Sequence, residues 1–267
     1  MSKIKKLFKA FSLIIQRPSL LNKVLDDETV NQNEVISKYN LKNGLPTIDL
    51  LDLCPDFDET LNPYSFLEGC SPTIDIALLK ALAKQYEHCD YLEIGTWRGE
   101  SVANISSVAK HCVTINLPDE EMIQMGLDPK YVDLHRYFSN GIKNITHISA
   151  NSKTFDFTTL NQKFDLIFID GDHHYESVLN DAQKTFPLLK NENSVIVWHD
   201  YGNNAEDIRW DVLKGILDGT PADKRKNLYR ISNTLCAIYT TRIVKSSFAA
   251  YPSTPNKNFE VRISVKK

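Results

Sequence analysis

Between residues 90 and 200, short apolar runs alternate with stretches whose apolar positions fall three and four apart. The runs Tyr91 to Ile94, Val113 to Asn116, Thr146 to Ala150, Phe164 to Ile169 and Ser194 to Trp198 are too short for helices, and several are apolar at consecutive positions. Strands covered on both faces have that pattern. The stretches around them predict helices over Ser71 to His88, Glu100 to Ala109, Tyr175 to Leu189 and Ala205 to Leu217, with shorter ones inside Pro118 to Asn140 and before Asn161. In the first of these, Ser71 reads as the N-cap, Pro72 as the first turn, and Ile74, Ala77, Leu78, Ala81 and Leu82 as the buried stripe. Alternating strand and helix predict an α/β fold, a mostly parallel sheet with helices on both faces. The series closes with Leu228 to Ile231, the turn pair Ser232-Asn233 and Leu235 to Tyr239, which read as an antiparallel hairpin.

Three regions follow from this pattern: an N-terminal cap over 1–70, the α/β domain over 71–242, and an extension over 243–267. Met1 to Val24 reads as an amphipathic basic helix, with Lys3, Lys5, Lys6 and Lys9 around Ile4, Leu7, Phe8, Phe11, Ile14 and Ile15. Its apolar run is too short and too interrupted to span a membrane. Two readings stand: weak adsorption to an anionic membrane surface, or packing on the domain or a second subunit of a homo-oligomer. Residues 25–70 show no sustained period and read as an irregular cap. Phe259 to Val265 alternates as an extra edge strand or a subunit contact would.

Composition narrows the partners. The chain has 31 Lys and Arg against 34 Asp and Glu, a net charge of -3, which gives no reason to expect nucleic acid and fits a small-molecule acceptor. The five cysteines form no CxxC pair and point to a reducing, cytoplasmic chain without a disulfide framework or zinc site. The glycosylation-like triplets at Asn104 and Asn144 read as incidental.

The chemistry lies at the strand ends. Glu93-Ile-Gly95-Thr96-Trp97-Arg-Gly99 sits where a strand meets a helix, with glycines that let the backbone turn tightly and approach a ligand. After the next strand comes Asn116, and after the third comes Asn151, which can hydrogen-bond a purine edge or cap a helix. Asp170-Gly-Asp172-His173-His174 and His199-Asp200-Tyr201 each follow a strongly apolar strand. In an open parallel sheet such ends face one crevice, so Asp170 and Asp200 are expected close together. Carboxylates beside imidazoles can hold a divalent cation and remove a proton from a hydroxyl, or can simply cap the segments that follow.

The glycine turn resembles the E-x-G-x-x-x-G motif of class I S-adenosylmethionine-dependent methyltransferases. The F-I-D-G-D-H-x-Y-E and H-D-Y stretches look like the small-molecule group that includes sugar O-methyltransferases, over roughly Asp90 to Thr240. The resemblance implies a Rossmann-like sheet with a closing antiparallel hairpin, and methyl transfer to an oxygen of a small molecule such as a sugar or glycan precursor. It implies S-adenosyl-L-methionine held by Glu93, Gly95, Thr96, Trp97, Gly99, Asn116, Asn151 and Asp170. It also implies a metal at Asp170, His199 and Asp200, where a histidine in place of an acid leaves Mg²⁺, Mn²⁺ or Fe²⁺ open. His173 is the first choice of general base, with Asp172 and His174 next, while Tyr131, His135, Arg136 and Tyr137 are expected to shape the acceptor pocket. Two other classes stay open: a metal-dependent oxygenase on the same site, and a cofactor-binding subunit without catalysis. The expected location is cytoplasmic, peripheral to the inner face of the membrane.

Overall fold

A computed structural model describes residues 2–21 and 28–265. Its centre is a nine-stranded sheet: β1 (Thr47–Ile48), β2 (Asp90–Ile94), β3 (His111–Asn116), β4 (Ile145–Ser149), β5 (Leu166–Ile169), β6 (Val195–Trp198), β7 (Leu228–Ile231), β8 (Ala237–Tyr239) and β9 (Ser246–Ser247). They lie in the order β4-β3-β2-β5-β6-β8-β7-β1-β9. Strands β2 to β6 are mutually parallel, and β8 runs antiparallel to both β6 and β7. The sheet is therefore Rossmann-like, with a closing antiparallel hairpin. Its order reverses between β2 and β5, paired in register from Tyr91↔Leu166 to Ile94↔Ile169. A crevice opens there, at the carboxyl ends of the strands.

Alternation along each strand divides the core into two layers. Leu92, Ile94, Ile167, Ile169, Ile196 and Trp198 face one layer, closed by α8 (Tyr175–Thr185) and α9 (Trp210–Gly219). Tyr91, Leu166, Phe168, Val195 and Val197 face the other, closed by α4 (Thr73–Ala83) and α5 (Glu100–Ser106). With both faces covered, β5 and β6 are buried at every residue, which is why they read as unbroken apolar runs. The insertion after β3 holds two short helices, α6 (Asp119–Gln124) and α7 (Pro129–Val132).

Several expectations are corrected. The N-terminal helix, α1, spans only Lys3–Gln16; its expected end at 22–24 lies outside the described residues. The stretch expected to be irregular contains α2 (Glu28–Tyr39), the short α3 (Leu50–Leu53) and β1, which extends the sheet beside β7. Val35 of α2 is fully buried in the layer under α9. The helix is polar at most positions and buries Val35 alone, so its period is not legible without the partner helix. The helix before β2 starts at Thr73, and Ser71 does not cap it. The helix expected from Ala205 begins at Trp210 after a turn, and Phe259 to Val265 pairs with no strand; the edge partner of β1 is β9. All five cysteines are free thiols, and Asn104 is 1% exposed, its amide donating to the Pro63 and Glu100 carbonyls.

Candidate active site

Two turns make the crevice floor. The chain leaves β2 through Gly95, whose φ of 97° lies in the left-handed region that favours glycine. A Cβ there would lie 2.0 Å from the Asp170 carbonyl oxygen, so the ends of β2 and β5 touch through bare backbone. Trp97 follows with φ 43° and Gly99 with φ 80°. A Cβ on Gly99 would lie 2.3 Å from Ser139 Oγ. Trp97 is a non-glycine residue held in a sparsely populated conformation, which costs on the order of 1 kcal/mol or more. Its ring stacks on Tyr131 at 4.2 Å and meets His135 edge-on at 4.8 Å. The insertion is also tied to this turn by backbone: Arg136 N donates to the Trp97 carbonyl and Phe138 N to that of Arg98.

Glu93 does not open onto the crevice. It is fully buried and accepts from Tyr91 Oη at 2.7 Å and Thr114 Oγ1 at 3.3 Å; Thr114 Oγ1 in turn lies 2.6 Å from Thr96 Oγ1. Burial pushes its carboxyl up to about 8, against hydrogen bonds from Tyr91, Ser101 and Thr114. It reaches the glycine turn through this hydroxyl chain. Asn116 accepts from Thr96 N at 3.3 Å and donates to the Leu117 carbonyl, so its amide ties the ends of β2 and β3 together. Asn151 accepts from Lys153 N at 3.0 Å within a turn, and its Nδ2 lies 3.3 Å from Glu121; the short helix that follows, Phe157–Leu160, is capped by Asp156 instead.

The densest group lies at the ends of β5 and β6. Asp170, His173 and Asp200 each present a ligand atom, all within 4.8 Å of one another. His173 Nδ1 is 2.7 Å from Asp200 Oδ2, a pairing that raises the affinity of the ring for its proton. Asp200 itself has φ 54°, a second non-glycine left-handed residue at a strand end. Burial opposes its charge, yet the His173 and His199 rings hold it far below the usual carboxylate range.

His199 is 8% exposed and lies among three carboxylates. Its Nε2 is 3.0 Å from Asp75 Oδ2, and its Nδ1 is 3.1 Å from Asp170 Oδ1 and 3.2 Å from Asp200 Oδ2. Nδ1 is aligned for a hydrogen bond with neither of the latter two. Burial lowers its proton affinity, but the charge of Asp170 and the contacts with Asp170, Asp200 and Asp75 outweigh this and raise it above the usual histidine value. Asp172 and His174 are not brought into this group. Asp172 accepts from His174 N and from Ser177 Oγ, and its oxygen touches His174 Nδ1, so the two secure the start of α8.

Ser71 and Asp75 join the site from an element that sequence reasoning left out of it. Ser71 Oγ donates to Asp170 Oδ2 at 3.0 Å. Asp75 is fully buried, and besides His199 it accepts from Leu235 N. A signal existed for Asp75: it is the one acid in an otherwise apolar helix, TIDIALLKALA, which buries residues 75–79 and 81–83. An acid there needs a partner. Arg136 is paired with Asp119 through both carboxylate oxygens, and these two, with His135 and His147, line a separate polar cleft of about 400 Å³. Tyr137 is 66% exposed.

Among solved structures, the chain resembles a candidate caffeoyl-CoA O-methyltransferase from Staphylococcus aureus, at 22% identity over 64% of this chain and 85% of that one, with a TM-score of 0.47. It also resembles the TDP-rhamnose 3'-O-methyltransferase of calicheamicin biosynthesis, at 11% identity over 63% of this chain and 77% of that one, with a TM-score of 0.41. At this level the likeness bears on neither substrate nor cofactor. A curated relative, an uncharacterised protein of Acanthamoeba polyphaga mimivirus, is 30% identical over 138 residues, 50% of this chain and 60% of the relative. The chain thus matches less than two thirds of that protein. Residues 92–201, which run from β2 through the turn after β6 and include every strand-end group of the crevice, match the family model described as a methyltransferase domain.

Proposed function

We propose that this chain transfers a methyl group from S-adenosylmethionine to an oxygen of a small molecule, with a sugar hydroxyl as the acceptor class. The observation that carries the reading is the crevice at the strand-order reversal. The bare Gly95 turn forms one side of it, and Asp170, His173 and Asp200 gather on the other. S-adenosylmethionine, when bound, supplies a methyl group already activated by a sulfonium, so the protein's task is to align the acceptor and remove its proton. The glycines permit close approach at the crevice floor, where Gly95 brings the ends of β2 and β5 together against the Asp170 carbonyl and Gly99 packs against Ser139. In this reading Asn116 and Asn151, which follow β3 and β4, would contact the ribose and the adenine, and Trp97 would line the turn.

His173 is the proton acceptor in this reading. Its ring is half-buried, and Asp200 holds Nδ1; a carboxylate that fixes one imidazole nitrogen leaves the other oriented for proton transfer. Asp170, Asp200 and His199 suit a divalent cation. The buried, unaligned Nδ1 of His199 faces both carboxylates while Asp75 holds Nε2, the outer arrangement usual for a ligating histidine. A nitrogen donor favours Mn²⁺ or Fe²⁺ over Mg²⁺. A cation there would polarise an acceptor hydroxyl.

Titration calorimetry with S-adenosylmethionine and its demethylated product, with and without Mg²⁺ or Mn²⁺, tests the reading. The expected result is micromolar-range binding that Gly95→Arg abolishes. Absence of binding under every metal condition overturns it and leaves a metal-dependent oxygenase as the better account of the acidic group.

A further inference from the structure

Helix α1 differs from the rest of the chain in charge. Lys3, Lys5, Lys6, Lys9 and Arg17 lie within residues 2–21, and none of the chain's 34 Asp and Glu does. Wound as an α-helix, the segment places Ile4, Leu7, Phe8, Phe11, Ile14 and Ile15 on one arc and Lys5, Lys6, Lys9, Ser12 and Gln16 on the opposite one. No residue of α1 is buried, and Phe8 and Ile15 are 71% and 79% exposed. A contiguous exposed apolar face of this kind marks an interaction surface.

We infer that α1 docks this protein, reversibly, on an anionic membrane surface. Fourteen residues of helix extend only about 21 Å, short of the ~30 Å hydrocarbon core. No helix among the described residues is long and apolar enough to cross a membrane. The helix therefore lies in the interface plane, with Phe8 and Phe11 toward the acyl chains and the lysines toward the headgroups. Charge selects this occupant. A neutral apolar partner would cover the arc and leave the lysines unmatched, whereas an anionic bilayer answers both, each lysine raising partitioning on the order of five-fold. One such helix holds a protein only weakly, so binding is salt-sensitive.

The test is sedimentation of the full chain with vesicles of phosphatidylcholine alone or mixed with phosphatidylglycerol, at low and high salt. Partitioning about a hundred-fold stronger onto the anionic vesicles is expected, falling at high salt. It is also expected to fall by about ten-fold or more in a Lys5→Gln, Lys6→Gln, Lys9→Gln variant and in a Phe8→Ser, Phe11→Ser variant. Both variants change exposed residues alone, and circular dichroism checks that the fold is kept. Failure to bind anionic vesicles overturns the inference, as does binding that survives both variants. So does a two-chain mass in light scattering that the same variants reduce to one, which would give the helix to a second copy.

Discussion

A carboxyl group sealed inside a sheet takes up its proton near neutrality unless donors or a cation hold its charge. Glu93 is such a group, pushed by burial from 4.5 to about 8. Because its folded-state value is the higher one, its contribution to stability is complete below about 4.5 and is lost as pH rises toward 8. Urea unfolding of Glu93→Gln against the parent protein should show the variant gaining relative stability over that window, by on the order of 1 kcal/mol per pH unit. A difference that stays flat with pH would mean that Glu93 remains ionised. Asp75 is under the same pressure, burial raising its carboxyl above the usual value while the His199 hydrogen bond and charge oppose it. Asp75→Asn should cost about 3 kcal/mol in metal-free protein. It should also weaken Mn²⁺ binding by roughly ten-fold or more in calorimetry. Lost stability with unchanged Mn²⁺ affinity would make Asp75 a structural residue only.

Elements distribute the site's parts unequally. The strand ends supply Gly95, Asn116, Asp170 and His199, and their positions follow from the parallel register of β2, β3, β5 and β6. The insertion after β3 contributes through Tyr131 and His135 against Trp97. Helix α4 brings Asp75, and Ser71, two residues before its start, binds Asp170. Helix α2 is read as part of the domain because Val35 is fully buried against the layer that α9 closes. Val35→Ala should then lower the single unfolding transition by about 2 kcal/mol. An unchanged midpoint, or a separate early transition, would show that residues 28–53 behave as a detachable cap.

At the scale of the whole molecule, two left-handed non-glycine residues, Trp97 and Asp200, flank a crevice where Asp170, Asp200 and Asp75 meet two imidazoles. A divalent cation held by Asp170 and Asp200 would relieve the repulsion among these carboxylates. A ligand that binds only the native state raises stability by mass action, by about 2.7 kcal/mol at a hundred-fold excess over its Kd. Mn²⁺ should therefore raise the unfolding temperature of the parent protein and leave that of an Asp170→Ala, Asp200→Ala variant unmoved. A shift of equal size in both would place the ion elsewhere.

The sequence by itself determined the parallel strands, the closing hairpin and the strand ends that carry Gly95, Asp170 and Asp200, because burial on two faces leaves an apolar signature that needs no partner to be read. The closeness of Asp170 and Asp200 was legible because parallel strands bring their carboxyl ends to one edge. Only the tertiary structure decided which neighbouring polar residues point inward. Asp172, His173 and His174 are consecutive, yet Asp172 and His174 secure the start of α8 while His173 turns to Asp200. Tertiary structure also brought Asp75 to His199 across 124 positions of chain and made α2 a packed helix. Pairings of that kind depend on which surfaces meet, and local periodicity carries no record of the partner.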